Sequence, residues 1–159
     1  MRLNRRLLLA TPLFLAIALA VATAAQARGP KEIVIGTSAG PYADQVKLGI
    51  KPILEQQGYM VRIVEFNDDI QPNFALAEGS HDANVFQHAT YLHRFASQHK
   101  LALAELVKVR SADRDKPFAR DLAAAYRSRA FLDVTNKHFA DYARTDDQLA
   151  LQSSAAGAK

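Results

Sequence analysis

The 159-residue chain contains no cysteine. This absence excludes disulfide bonds, a thiol nucleophile, thiolate ligands for a metal ion and a lipid-modified N-terminal cysteine. Packing of apolar side chains alone has to hold such a domain together, which a chain of this length can achieve.

Catalytic motifs are also missing. The sequence has no G-x-S-x-G elbow, no H-E-x-x-H pair and no phosphate-binding loop, and Gly36 and Gly40 lack the spacing of a dinucleotide fingerprint. Asp68 and Asp69 have no second carboxylate pair to oppose them, so we interpret them as turn or capping residues. The sequence therefore predicts a protein that is not an enzyme and that uses no cofactor.

The chain has little excess charge once its first segment is set aside. Residues 1–27 combine three arginines, an apolar run and Ala25-Gln26-Ala27, which predicts a signal peptide cleaved after Ala27. Cleavage after Ala24 is the second choice, and a retained membrane anchor over residues 7–25 is the alternative. After cleavage, 17 Lys and Arg remain against 16 Asp and Glu. This balance gives no reason to expect binding to nucleic acid or anionic lipid.

The apolar residues alternate between strand and helix periods along the rest of the chain. We expect a kink near Gly49 because Pro52 interrupts the first helix. We expect residues 146–159 to form a disordered tail, since residues from Ala143 onward offer little to pack. The pattern predicts one α/β domain over 28–145 with a mostly parallel sheet sandwiched by helices. The predicted strands are 32–35, 59–66, 83–86 and 101–109, and the predicted helices are 41–57, 72–77, 89–100, 113–128 and 131–142.

Histidines are concentrated in SHDANVFQH (80–88) and the helix that follows. His88 and His93 are five residues apart, which separates them by roughly 140° on a helix, so they cannot both bind one ion. A site formed by His81, Asp82 and His88, as in a metal chaperone, is conceivable and ranks last. We expect His81, His93 and His99 to be solvated or hydrogen-bonded, and we expect His138 to lie in the core. No metal site is predicted.

The same stretch favours one wall of a ligand pocket. Phe86 and His88 follow the end of a predicted strand, and Tyr91 falls in the first turn of the next helix. Ligands in open α/β sheets bind outside the carboxyl ends of the strands. An aromatic ring, an imidazole and a phenol at that place suit a small amphipathic ligand.

Three segments resemble the NlpA-type, MetQ-like family of methionine-binding proteins, the periplasmic substrate-binding components of ABC transporters. They are IVIGTSAGPYAD, VEFNDDIQPNFALAEGSHDANVFQHATYL, and VRSADRDKPFARDLAAAYRS followed by NKHF. The resemblance extends from Glu32 to about Phe139. It implies a periplasmic-binding-protein-like fold with methionine held between two α/β lobes. It also implies that Phe86, His88 and Tyr91 enclose the methionine side chain.

The sequence departs from this family in three ways. Family members are usually lipoproteins, but this chain has no cysteine to acylate, so we expect it to diffuse freely in the periplasm unless an uncleaved signal anchors it. Asp69 stands where the family commonly has a tyrosine, which puts a charge at a predicted ligand-binding position. The second lobe is predicted to be missing between about Glu105 and Arg110, and the remaining parts, about 31–105 and 110–142, to close into one lobe. The apolar faces near Leu106 and Val109 are then expected to be partly exposed.

The resemblance therefore implies a substrate-binding component for methionine or a related amino acid, with an ABC permease as its partner and with binding impaired by the missing lobe. A homodimer is left open as a way to rebuild the cleft. The alternative is a truncated paralogue that serves as a structural or interaction module, with Phe86 and Tyr91 forming an apolar patch for a protein partner.

Overall fold

The computed structural model describes residues 31–105, 109–142 and 144–156. The predicted signal peptide, 1–27, and most of the predicted junction between the two parts of the lobe lie outside these residues.

A five-stranded sheet in the order β2-β1-β3-β5-β4 forms the centre of the fold. β1 is parallel to both β2 and β3, whereas β5 is antiparallel to β3 and to β4. The longest pairing joins β1 and β2 over seven residue pairs. The predicted α/β class is confirmed, and most of the paired residues, those that join β1 to β2 and to β3, are parallel as predicted. The strands are Glu32–Ser38 (β1), Met60–Phe66 (β2), Ala83–Asn84 (β3), Leu103–Ala104 (β4) and Val109–Arg110 (β5).

Helices cover the sheet because β1, which has a strand on each side, is apolar on both faces. Ile33, Val34 and Ile35 of β1 are fully buried, as expected for a parallel strand covered on two sides. The helices are Pro41–Gln45 (α1), Lys51–Gln56 (α2), Gln71–Ala77 (α3), Ala89–His99 (α4), Pro117–Tyr126 (α5), Arg129–His138 (α6) and Asp146–Ala156 (α7).

A π-helical turn over Val46–Ile50 joins α1 to α2 in one continuous helical segment. Pro52 lacks the N–H that would bond to the carbonyl of Leu48, and the widened turn lies directly before it. The sequence predicted a kink near Gly49, and the π-helical turn occupies this position.

The hydrophobic core joins the two parts of the chain. Phe131 of α6 is 1% exposed and packs so closely on Gly49 that a Cβ at Gly49 would lie 2.7 Å from Cε2 of its ring. The Tyr59 hydroxyl donates a hydrogen bond to the Asp121 carboxylate of α5. The core cluster contains Ile33, Ile35, Val46, Ile50, Leu54, Val61, Ala83, Val85, Val109, Ala119, Leu122, Ala123, Ala125 and Phe131.

The sheet edge after α4 differs from the sequence prediction. A single strand was predicted over 101–109, but the structure has two short antiparallel strands, with Leu103 opposite Arg110 and Ala104 opposite Val109. The apolar faces near Leu106 and Val109 were predicted to be partly exposed. Leu106 lies outside the described residues, and for Val109 the prediction is wrong, because Val109 also pairs with Ala83 and is fully buried in the core.

Hydrogen bonds and an ion pair of Arg110 hold this edge of the sheet in place. The Arg110 guanidinium donates to the carbonyl oxygens of His81 and Leu76, at 2.7 and 3.2 Å, and pairs with the carboxylate of Asp113. Asp113 lies buried in a 3-10 turn over Ser111–Asp113, before α5 begins. Burial alone would raise the pKa of Asp113, yet the Lys116 ammonium and the Arg110 guanidinium together lower it.

The predicted disordered tail contains α7 instead. Its first turn is a capping box: the Gln148 backbone N–H donates to the Thr145 hydroxyl at 3.3 Å, and the Thr145 N–H donates to the Gln148 side-chain oxygen at 3.2 Å. Asp146 and Asp147 add negative charge at the positive end of the helix dipole. The prediction of a disordered tail considered only apolar burial and missed this capping box, which indicates a helix.

Candidate functional site

A cleft of about 470 Å³ lies at the carboxyl end of β3, beside α1. One wall, here called the first wall, consists of residues from α1 and from the loop between β3 and α4: Tyr42, Gln45 and residues 84–89. The opposite side, here called the second wall, consists of residues from α5, α6 and the segment that leads into α7: Ala123, Tyr126, Arg127, Thr135, Tyr142, Thr145, Asp147 and Gln148. Glu105 also contributes to the lining.

A buried network of amide groups holds the loop of the first wall. Asn84 donates to the side-chain oxygen of Asn73 at 3.1 Å and accepts at 2.6 Å from His81, and all three side chains are at most 1% exposed. Asn73 and Gln87 exchange two amide hydrogen bonds of 3.0 and 2.6 Å. Buried polar groups that are mutually satisfied fix one conformation, so the Asn and Gln residues of the PNFAL and DANVFQH motifs position this loop.

Gly36 of β1 allows the network to approach the sheet. A Cβ at Gly36 would lie 2.5 Å from the His81 Nε2 and 2.6 Å from the Asn84 Oδ1. The Thr37 hydroxyl next to it donates to the carbonyl oxygen of Val85 at 2.8 Å. The small residue and the hydroxyl in IGTS thus have a direct role in placing the first wall.

Phe86 and His88 both line the cleft. Phe86 is 5% exposed, so its ring belongs to the base of the cleft. His88 is exposed and has an extended backbone directly before α4. The structure brings these two predicted ligand-binding residues together.

Tyr91 and Asp69 form a separate cluster outside the cleft lining. The Tyr91 hydroxyl donates to the Asp69 backbone oxygen at 3.0 Å, and the Asp69 carboxylate accepts from the Ser38 hydroxyl at 2.5 Å. Burial, and then the carboxylates of Asp69 and Asp68, raise the pKa of Tyr91. The structure thus places the four predicted ligand-binding residues in two pairs.

Asp68 has a structural role. Its carboxylate accepts from the backbone N–H groups of Ile70 and Gln71 at 2.8 and 2.7 Å, where α3 begins. Asp68 thus forms a turn directly before α3, in agreement with its interpretation as a turn or capping residue.

The remaining histidines are distributed over several environments. His81 was expected to be solvated or hydrogen-bonded, and it is buried and hydrogen-bonded. His93 is exposed, and its Nε2 lies 3.1 Å from the Glu105 Oε2. His138 was predicted to lie in the core, but it is exposed at the end of α6, and Phe139 after it is buried. Among residues 31–105, 109–142 and 144–156, no three His, Asp or Glu side chains are grouped as metal ligands.

The charged groups of the second wall were missed by the sequence analysis. Arg127 Nε lies 2.7 Å from the Asp147 carboxylate, and both side chains are more than half exposed. Gln148 is 3% exposed, and its amide nitrogen is 3.5 Å from the Thr135 hydroxyl. Burial, and then the neighbouring Tyr42, raise the pKa of Tyr126. The capping box at Thr145 was the signal that could have predicted an ordered segment here.

None of the helices in the described parts of the chain is long and apolar enough to span a membrane.

Comparison with known proteins gives methionine-binding lipoproteins among the relatives of this chain. A 34% identical match over 85 residues is to a protein of Pasteurella multocida described as "Probable D-methionine-binding lipoprotein MetQ", covering 54% of this chain and 31% of that protein. The "Methionine-binding lipoprotein MetQ" of Bacillus subtilis is 39% identical over 64 residues, covering 40% of this chain and 23% of that protein. The chain thus spans about a quarter to a third of the length of these relatives.

Solved structures with similarity to the chain carry related descriptions. A nutrient binding protein from Burkholderia cenocepacia, bound to methionine, is 40% identical with a TM-score of 0.43, covering 45% of this chain and 30% of that one. The family model of the NlpA lipoproteins matches residues 33–113, which include β2 to β5, all but the first residue of β1, and the loop of the first wall. The chain belongs to the NlpA lipoprotein family.

Proposed function

We propose that this protein is the substrate-binding component of an ABC transporter for methionine or a similar amino acid. The observation that carries the proposal is the family match, because it covers β1 to β5 and includes Phe86 and His88 at the carboxyl end of the sheet. The relatives described as methionine-binding support the choice of ligand. Binding proteins of this kind act without catalysis and work outside the cytoplasm, which agrees with the expected periplasmic location and with an ABC permease as partner.

Phe86 and His88 are the residues we propose for contact with the ligand in the cleft. Phe86 offers an apolar surface at the base, and the exposed imidazole of His88 offers a polar group at the side. Tyr91 and Asp69 are proposed to contribute from the neighbouring cluster, at the rim.

We further propose that this binding is weak, because one lobe of the family's two-lobed arrangement is missing. A good ligand site encloses most of its ligand. Loss of a charged clamp on the ligand carboxylate costs about 2 to 5 kcal/mol, which lowers affinity by roughly thirty-fold to several thousand-fold. The single lobe of this proposal consists of residues from about 31–105 and 110–142.

Titration calorimetry of residues 28–159 with L-methionine and D-methionine tests the proposal, with light scattering to determine the oligomeric state. We expect binding weaker than micromolar, lost in His88→Ala and retained in His138→Ala, which changes an exposed histidine on α6. A micromolar or tighter dissociation constant for a monomer would contradict the impaired affinity. Absence of binding to a folded protein, checked by ligand-observed NMR at millimolar methionine, would contradict the transport function.

A second candidate function is an interaction module for a protein partner. Ile70, the residue after Asp69, is 55% exposed, and Tyr91, whose hydroxyl donates to the Asp69 carbonyl oxygen, is 37% exposed, so two apolar side chains are uncovered near Asp69. Phe86 was predicted to belong to this patch, but its burial removes it. A folded protein that binds no methionine, while Ile70→Asp leaves its fold intact and abolishes association seen by light scattering, would favour this function.

A further inference from the structure

We infer that the C-terminal segment, Tyr142 and residues 144–148, forms the second ligand-contacting wall of the cleft together with the end of α5, and that Arg127 and Asp147 of this wall bind the two charges of a zwitterionic amino acid. This inference rests on the proposed function. It assigns to the chain's own C-terminal residues part of the role that a second lobe has in a two-lobed binding protein. The weak affinity proposed above then comes from incomplete enclosure of the ligand, because Arg127 and Asp147 supply the charged groups.

The position of the segment is the first argument. Tyr142, Thr145, Asp147 and Gln148 line the same cleft as Phe86 and His88, although they are more than 50 residues away in sequence. The cleft has a volume of about 470 Å³ with this segment as part of its lining. A volume of this size is within the range of about 300 to 1,000 Å³ that small-molecule sites occupy.

The anchoring of the segment is the second argument. Arg144 donates from Nη1 to the carbonyl oxygens of Phe139 (3.2 Å) and Tyr142, and from Nε to the Asn136 side-chain oxygen (3.1 Å). The buried Gln148 amide is directed at Thr135 of α6, and the Gln152 amide donates to Asn136 at 3.1 Å. Several independent hydrogen bonds therefore hold the second wall against α6, so that it can present side chains at fixed positions.

The charges of the second wall are the third argument. Arg127 and Asp147 are paired at 2.7 Å with side chains 52% and 58% exposed. An exposed ion pair of this kind contributes only about 0 to 1 kcal/mol, so exchanging partners costs little. An amino acid offers a carboxylate to the guanidinium and an ammonium group to the carboxylate, while its side chain can lie on Phe86 at the base. An uncharged or singly charged ligand cannot satisfy both groups.

Cysteine footprinting tests the position of the ligand, because the chain has no cysteine of its own. Three single variants of residues 28–159 are compared: Ala89→Cys on the first wall, Tyr142→Cys on the second wall, and Ser153→Cys on an exposed part of α7 as control. The rate of alkylation by a small maleimide is measured with and without L-methionine. With methionine at about ten times its dissociation constant, a thiol that the ligand covers should react about ten-fold more slowly.

The inference predicts protection of the thiols in Ala89→Cys and Tyr142→Cys and no protection in Ser153→Cys. Protection in Ala89→Cys alone would overturn the inference and leave the proposed function standing, since the ligand would then use only the first wall. Protection in neither variant would overturn both. Faster alkylation of Tyr142→Cys in the presence of methionine would also overturn the inference, because the ligand would then displace the segment.

The charge pair is tested separately with a matched control. Arg127→Ala and Asp147→Asn should each weaken methionine binding by about 10- to 100-fold, the loss expected for a hydrogen bond to a charged group. Arg129→Ala and Asp133→Asn remove a pair of nearly the same geometry on α6, at 2.9 Å with side chains 54% and 59% exposed. These variants should bind as the unaltered chain does. Equal affinities in all four variants would show that Arg127 and Asp147 do not contact the ligand.

Discussion

At the scale of single residues, Gly49 determines how the two parts of the chain meet. Replacement by alanine should favour the helix by about 1 kcal/mol, but the new methyl group would clash with the ring of Phe131. Overpacking of a full core costs about 1 to 3 kcal/mol. We therefore expect Gly49→Ala to lower the midpoint of urea unfolding.

A double-mutant cycle separates this clash from other effects of the substitution. Phe131→Leu makes room at the same contact, so Gly49→Ala should cost less in that background, with a coupling energy above about 0.5 kcal/mol. Additive effects of the two substitutions would mean that the contact does not limit the packing.

Tyr59 should make stability depend on alkaline pH. Burial, followed by the hydrogen bond to Asp121, raises the pKa of Tyr59 from 10.0 to about 12. The folded state then holds the phenol proton more tightly than the unfolded chain does. This stabilisation is present in full below pH 10 and is lost as the pH rises from 10 to 12.

Urea unfolding at several pH values checks this contribution. Tyr59→Phe should lower stability at neutral pH by about 1 kcal/mol and should flatten the loss of stability above pH 10. Tyr142→Phe, which alters an exposed tyrosine, serves as control and should keep the alkaline profile of the unaltered chain. Parallel profiles for all three proteins would contradict the role of the Tyr59–Asp121 bond.

At the scale of elements, α7 depends on its capping box. Thr145→Ala removes the hydroxyl that accepts the Gln148 N–H, at a cost of about 1 kcal/mol. Amide hydrogen exchange over 146–156 should accelerate about five-fold, the factor that corresponds to this free energy. Ser153→Ala on the same helix is the control and should leave exchange nearly unchanged, whereas equal acceleration in both variants would rule out a specific cap.

The elements differ in how far the sequence predicts them. β1 and β2 were predicted because runs such as EIVIG and YMVRIVEF have a strong strand pattern, and each is seven residues long in the structure. The split of 101–109 into two strands was missed, since both are two residues long and their pairing depends on partners elsewhere in the fold. α7 was missed because its apolar periodicity is poor and its stabilising contacts are polar.

At the scale of the whole molecule, we expect the two parts of the chain to fold as one unit. The C-terminal helices bury Leu122, Phe131 and Leu132 completely. Each large side chain contributes about 1.5 to 3 kcal/mol when fully buried, and their sum approaches the total stability of about 5 to 15 kcal/mol that a domain has. Residues 28–110 alone should therefore lack a cooperative transition.

Urea unfolding followed by near- and far-ultraviolet circular dichroism checks this expectation. Residues 28–159 should give coincident transitions with both probes, and residues 28–110 should give none. A cooperative transition of the shorter chain at the same midpoint would mean that the C-terminal helices are an accessory to an independent lobe.

The candidate site was predictable only in part, because its two walls come from distant parts of the sequence. Phe86 and His88 could be placed at a strand end from local pattern, and they line the cleft. The opposite wall, with Arg127 and Asp147, comes from residues about 40 to 60 positions further along the chain. Only the packing of α5 and α6 on the first helical segment brings those residues to the cleft, and a local sequence pattern carries no information about such packing.

The position of β2 at the end of the sheet has a consequence for solubility. Within the described part of the chain, the seven-residue β2 has a strand on one side only, and its other side offers backbone groups on which a second chain could extend the sheet, a common route to aggregation. Charged side chains oppose this along β2: Arg62 is 57% exposed beside Glu32, and Glu65 forms an ion pair of 2.7 Å with Lys47. An incoming strand would have to dehydrate these charges without compensation. The same salt bridges add little to folding stability, but they oppose the pairing of β2 with a strand of a second copy of the protein.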